Sequence, residues 1–293
     1  MHSLLPHIPG RGSDVRFLTH RKRDFDSMNT ASHNNQTALI TGASSGIGLE
    51  LARLCAADGF GLILVARRVD VLNQLADELQ NKHGIPVTIM PKDLSQPHAA
   101  QALWQDIAST GLEVNVLINN AGIGTLGPFA LTEAAATETM LELNVVALTM
   151  LTRLALESML KRGAGKILNV ASLAGFQPGG PGMAAYYATK SYVLSLTRAL
   201  AVELRGSGVT VTALCPGPTH TEFEGHAPGM QDTPLFRWVP VMSAREVAEA
   251  GYRGMHNGSA AVIPGFINKL LALGGELPPR RIALEVNRFL LQP

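Results

Sequence analysis

Cysteine is almost absent from this 293-residue chain: Cys55 and Cys215 are widely separated and match no metal-ligand spacing. They read as two buried thiols in a reducing compartment. Charge is scarce too, at 16% of residues with a net of +1, which argues against a nucleic-acid role based on a broad basic surface. No uninterrupted apolar run approaches the ~20 residues that span a bilayer. The first ten residues carry Pro6, Pro9 and two histidines but no basic start followed by an apolar core, so they are no signal peptide. A cytoplasmic protein with no transmembrane segment is expected. No repeat recurs at a fixed period. His220 and His226 lack a nearby third ligand, so no metal is expected.

What is present is apolar: 46% of residues, enough for one substantial core or two small ones. Residues 1–36 are polar and mixed in charge, and read as a mobile extension whose true start is Met1 or Met28. From Thr37 short apolar runs alternate with longer amphipathic stretches. Residues 37–41, 61–66, 87–90, 114–118, 166–170 and 209–214 read as buried strands, with a seventh at 260–263. Helix signals lie between them. Ser95 caps a segment with Pro97 in its first turn, and Ser243 with Glu246 forms a capping box. The helices expected at about 132–161 and 186–205 are apolar on more than one face, which suits packing on the sheet and on a second subunit. The pattern predicts one doubly wound α/β domain over 37–265, a seven-stranded parallel sheet covered on both sides. Residues 266–293 form an amphipathic tail.

Two motifs carry chemistry. Thr41-Gly42-Ala43-Ser44-Ser45-Gly46-Ile47-Gly48 follows the first strand and opens a helix. Glycines there permit a tight turn and close backbone approach to a pyrophosphate, whose charge sits at the helix N-terminus. Far downstream, Tyr186 and Lys190 stand four apart on one helix face. A phenol ionises near pH ~10, and a neighbouring ammonium is expected to lower that value toward the range of a general acid–base. Tyr187 points about 100° away around the helix and reads as a packing or pocket residue.

With Asn119-Asn120-Ala121-Gly122 after the fourth strand, Asn144 in the following helix, Ser172 after the fifth and Pro216-Gly217 after the sixth, residues 37–265 resemble the short-chain dehydrogenase/reductase family in its shorter, single-domain branch. The tail is similar to that of a bacterial subgroup. The resemblance implies a Rossmann-type oxidoreductase exchanging a hydride between a nicotinamide cofactor and a carbonyl or alcohol. Cofactor contacts would come from Gly42, Ser44, Ser45, Gly46, Ile47, Gly48, Asp93, Leu94, Asn120, Ala121, Gly122, Tyr186, Lys190, Pro216 and Gly217. Thr221 best fits the threonine position, with Thr219 the alternative. Tyr186 would exchange the proton, Lys190 hold the ribose and lower the tyrosine pKa, Ser172 polarise the carbonyl, and Asn144 hold a relay water.

The second strand ends at Ala66, followed by Arg67 and Arg68 where an acidic residue would mark an NAD site. Arginine pairs well with a 2′-phosphate. NADP(H) is therefore expected through Arg67, with NAD(H) possible. The stretch 220–241, with Phe223, Met230, Leu235, Phe236 and Trp238, should close over a hydrophobic small-molecule substrate. The tail either packs across the domain or a subunit interface, or touches a membrane surface. A homodimer or homotetramer is expected. The contrasting class is a non-catalytic redox sensor, which would have no use for a proton relay. A sugar-nucleotide epimerase would have different glycine spacing and a larger C-terminal region.

Overall fold

A computed structural model describes residues 33, 36–222, 229–277 and 279–292, all within one compact unit, Ser32–Pro293. Apart from residues 33 and 36, the expected N-terminal extension lies outside the described residues, as do Phe223 and His226.

Seven parallel strands make the central sheet: β1 (Thr37–Thr41), β2 (Gly61–Ala66), β3 (Val87–Pro91), β4 (Val114–Asn119), β5 (Gly165–Val170), β6 (Val209–Leu214) and β9 (Ala261–Val262), ordered β3-β2-β1-β4-β5-β6-β9. The order reverses between β1 and β4, the switch point where doubly wound sheets open a crevice at the strand carboxyl ends. The central strands are buried on both faces because helices cover both. On one side α1 (Gly46–Ala57), α2 (Val69–His83) and α8 (Ala244–His256) bring Leu51, Leu72 and Val247 onto Ile40 and Leu64. On the other, α3 (Ala99–Ser109) and α5 (Leu148–Arg162) bring Leu103, Leu151 and Met159 onto Leu39, Leu117 and Ile167. A small pair, β7 (Thr219–His220) and β8 (Met242–Ser243), lies beyond the sheet.

The Ser243–Glu246 capping box is present at the start of α8. The other expected cap is not. Asp93 accepts from the Ser95 amide at 3.0 Å and its hydroxyl at 2.7 Å, so the Ser95 side chain closes a turn instead. Helix α3 begins four residues later, after His98 at φ 62°.

The stretch predicted as one helix over 132–161 is broken in pitch. It runs as α4 (Ala134–Leu141), a π-helical segment Glu142–Ala147, and α5. By length and composition, Ala134–Arg162 is also long and apolar enough to cross a membrane. Here its buried side chains belong to the sheet's own core, while Leu141, Val146 and Leu160 remain exposed. Helix α6 (Ala184–Glu203) packs beside it and exposes Tyr192 and Val202. The C-terminal residues form α9 (Phe266–Glu276) and α10 (Arg280–Leu290), with α10 packed on α9 and on α7 (Pro234–Trp238).

Candidate active site

One cleft of about 820 Å3 runs along the strand carboxyl ends, and every predicted catalytic and cofactor residue lines it except Gly48 and Asn144. Of the residues expected to close over the substrate, Met230, Leu235 and Phe236 line it, whereas Trp238 stands exposed outside it. At its floor, the chain leaves β1 through Gly42 (φ 65°) and Gly46 (φ 55°), left-handed values at which a side chain would be strained. Gly48 is silent to the cleft for a packing reason: a Cβ there would sit 2.3 Å from both the Gly42 carbonyl and the Asn120 amide. Asn120 itself is a brace. Its amide donates to the carbonyls of Thr41 (3.0 Å) and Gly42 (3.1 Å), tying the glycine turn to the end of β4. The Thr41 hydroxyl completes the tie by accepting from the Asn120 and Ala121 amides.

The distal end of the cleft is cationic where β2 ends. Arg67 is exposed there and helps hold the Asp93 carboxyl. Burial raises that carboxyl's pKa, but hydrogen bonds from Ser95 and Gln96 and the Arg67 charge bring it below its ordinary value. Arg68, which the sequence reading placed only beside Arg67, reaches the glycine turn. It donates to the Ser44 carbonyl and hydroxyl, each at 3.1 Å, and pairs with Glu222 at 2.7 Å. No acidic side chain takes the place of either arginine at the end of β2.

At the other end Ser172, Tyr186 and Lys190 come together. The Ser172 hydroxyl accepts from the Ala174 amide at 3.1 Å, capping a short helical turn, and hydrogen-bonds Tyr186. Lys190 is 5% exposed, donates to the Val170 carbonyl at 3.0 Å, and lies 5.8 Å from the centre of the Tyr186 ring. Burial dominates both titrations. It pushes the Tyr186 phenol up to about 12, with Ser172 opposing, and the Lys190 ammonium down to about 8. The phenol thus moves opposite to the lowering expected from its lysine neighbour, because desolvation outweighs the opposing Ser172 hydrogen bond while the Lys190 ammonium is held against Val170. Tyr187 is buried against Met183 and Met230, as expected of a packing residue.

Asn144 sits in the π-helical segment, a feature frequent at functional sites. Its amide is fully engaged, donating to the Ile123 carbonyl (2.8 Å) and Thr189 hydroxyl (3.2 Å) and accepting from the Ile123 amide (3.0 Å). A Cβ on Gly122 would stand 3.2 Å from the Asn144 oxygen and 3.4 Å from the Lys190 ammonium, so glycine keeps this junction open. Thr219 donates its hydroxyl to the Gly217 carbonyl (2.9 Å), whereas Thr221 lies against Gly46. Cys215 is fully buried with its thiol pushed up to about 12, an inert packing group.

The upper walls are apolar. Met183, Met230, Leu235 and Phe236 line one side; Leu270, Leu277, Ile282, Val286 and Leu290 of the tail line the other. The tail is held by Asn287, which donates to the Gly179 carbonyl at 2.7 Å, and by Gln177, which donates to the Leu271 carbonyl at 2.8 Å. Packing of the tail across the domain, one of the two expected placements, is what the structure shows; its part in the cleft wall was not legible in the sequence.

Comparison with known proteins agrees with this geometry. The sequence profile described as short chain dehydrogenase matches residues 36–232. Sulfoacetaldehyde reductase 2 of Chromohalobacter salexigens is 35% identical over 217 residues, 72% of this chain and 84% of that one. A short-chain dehydrogenase from Sphingobium yanoikuyae, solved in complex with NADPH, superimposes with TM-score 0.73 at 35% identity over 82% of this chain and 92% of that one. The bulky-bulky ketone specific alcohol dehydrogenase of Comamonas testosteroni gives TM-score 0.69 at 30% identity over 84% and 96%.

Proposed function

The chain belongs to the short chain dehydrogenase family and is an oxidoreductase of the CH–OH/C=O type, and from that premise we propose an NADP(H)-dependent reductase of bulky apolar ketones or acyl compounds. The observation carrying this reading is the Ser172–Tyr186 hydrogen bond at the base of an apolar-walled cleft whose far end holds Arg67 and Arg68.

The residues fit a phosphorylated dinucleotide. Gly42 and Gly46 leave backbone room for a pyrophosphate at the N-terminus of α1, and the cations at the end of β2 suit a 2′-phosphate. Nicotinamide supplies the hydride. Tyr186 delivers the proton to the substrate oxygen, and Ser172 donates a hydrogen bond that polarises the carbonyl. Lys190 takes the ribose hydroxyls, and its charge opposes the burial that holds the phenol up. The Asn144 backbone holds the water that returns protons to Lys190. Either Thr221 or Thr219 contacts the nicotinamide end. The apolar walls support a hydrophobic substrate, and the Comamonas relative named for bulky ketones agrees with that. Residues 37–265 form the catalytic domain and 266–293 complete its substrate side. The exposed apolar side chains of α4, α5 and α6 support a homodimer or homotetramer.

The test is a panel of ketosteroids, 3-oxoacyl thioesters, quinones and small aldehydes with NADPH and NADH. NADPH oxidation with bulky apolar carbonyls is expected. Equal efficiency with NADH would overturn the cofactor reading, and turnover confined to small polar aldehydes would overturn the substrate reading.

A further inference from the structure

Helix α9 is packed inside out. Its buried face carries Asn268, Ala272 and Gly275, while Phe266, Ile267, Leu270, Leu273 and Leu277 are exposed, Phe266 to 73%. Helix α10 continues the surface with Ile282, Val286 and Phe289 at helical spacing, and Trp238 of α7 lies 5.2 Å from the Phe289 ring. Leu270, Leu277, Ile282 and Val286 belong to this surface and to the cleft wall at once. The apolar patch is therefore the rim of the cleft mouth. Charge around it is one-sided. Arg237, Lys269, Arg280 and Arg281 are exposed and enter no ion pair among the described residues. Two neighbouring acids are neutralised, Glu276 by Arg198 and Glu285 by Arg288, which leaves Asp232 before α7 as an unpaired acid against these four cations.

We propose that the face formed by α7, α9 and α10 docks on an anionic lipid surface, so that an apolar substrate passes from the bilayer directly into the cleft. Apolar side chains flanked by cations, with a tryptophan at the rim, match the chemistry of such a surface. A second copy is a poorer occupant. An isologous contact pairs a patch with itself and would bring the same unpaired cations face to face. Docking stands on this surface alone; admission of substrate rests on the function proposed above.

The test is flotation of the full chain with vesicles of phosphatidylcholine alone or mixed with phosphatidylglycerol. Binding to the mixed vesicles that weakens with added salt is expected. Arg280→Gln with Arg281→Gln should lower it about thirtyfold, at roughly fivefold per cation. Phe266→Ser with Leu273→Ser should lower it further, with thermal unfolding and turnover of a water-soluble ketone unchanged. No flotation at low salt, or flotation indifferent to these substitutions, overturns docking. So does conversion of a dimer to a monomer by Phe266→Ser with Leu273→Ser, which would show that a second copy covers the face. The second arm supplies an insoluble ketone within the vesicles. Faster reduction from mixed vesicles supports admission from the bilayer, and equal rates from both vesicle types overturn it while docking stands. A chain that floats but reduces no ketone in any form refutes the function and leaves docking intact.

Discussion

Lys190 is held beside Tyr186 in the cleft against its own preference for water, and removing its charge should stabilise the fold. Its pKa falls from 10.5 to about 8 through burial, so keeping it protonated at pH 7 costs roughly 3 kcal/mol. Lys190→Met removes that cost but leaves the Val170 carbonyl without its donor, a loss of about 1–2 kcal/mol. The net expectation is a gain of about 1–2 kcal/mol at pH 7, or a Tm higher by roughly 2–8 °C for a chain of this size. The sign with pH follows from the lowered folded value. Between about 8 and 10.5 the unfolded chain binds the extra proton, so wild-type stability rises with pH across that window. The advantage of Lys190→Met should therefore shrink above pH 8 and reverse by about 10.5. Thermal unfolding of both proteins at pH 7, 9 and 10.5 measures this, alongside turnover, which should be lost in the variant. A variant less stable than wild type at pH 7, or a difference that does not change with pH, would refute the reasoning.

Other consequences are equally direct. Glu222→Gln frees Arg68 from a largely exposed pair worth up to about 1 kcal/mol, so affinity for 2′,5′-ADP should rise up to about fivefold with that for 5′-AMP unchanged; calorimetry showing both moved equally would deny Arg68 a role toward the phosphate. His256 is half-buried beside Tyr252, with its Nε2 buried and unpartnered among the described residues, and burial, then the Lys166 charge, lowers its pKa. Stability should fall as pH drops below the ordinary histidine range and the unfolded chain takes up the proton first. Urea unfolding at pH 7 and 5 should show a smaller fall for His256→Phe, and an identical fall would remove His256 as its source.

The sheet was legible because its central strands are buried on both faces and so read as near-continuous apolar runs; even the half-buried, two-residue edge strand β9 falls within the expected 260–263. The glycine turn and the Tyr186–Lys190 pair were legible because turn geometry and helical spacing constrain which residues fit, whereas Ser172 was named only through the family resemblance. What escaped depended on competition between partners distant in sequence or on solvation. Ser95 had the chemistry of a cap, but Asp93 took its hydroxyl. The π-helical turn at Asn144 answers to Ile123 and Thr189, 21 and 45 residues away. Arg67 and Arg68 are indistinguishable in sequence, and only the fold shows which of them reaches Ser44. The direction of the Tyr186 pKa depends on burial, which a four-residue spacing does not report.

The central claim is that Tyr186 is the proton donor, and Tyr186→Phe tests it most directly, because it removes one oxygen while keeping the ring. The account predicts turnover lower by about 10²–10⁴-fold with NADPH affinity nearly unchanged. A phenylalanine variant that reduces ketone at close to the wild-type rate would contradict it.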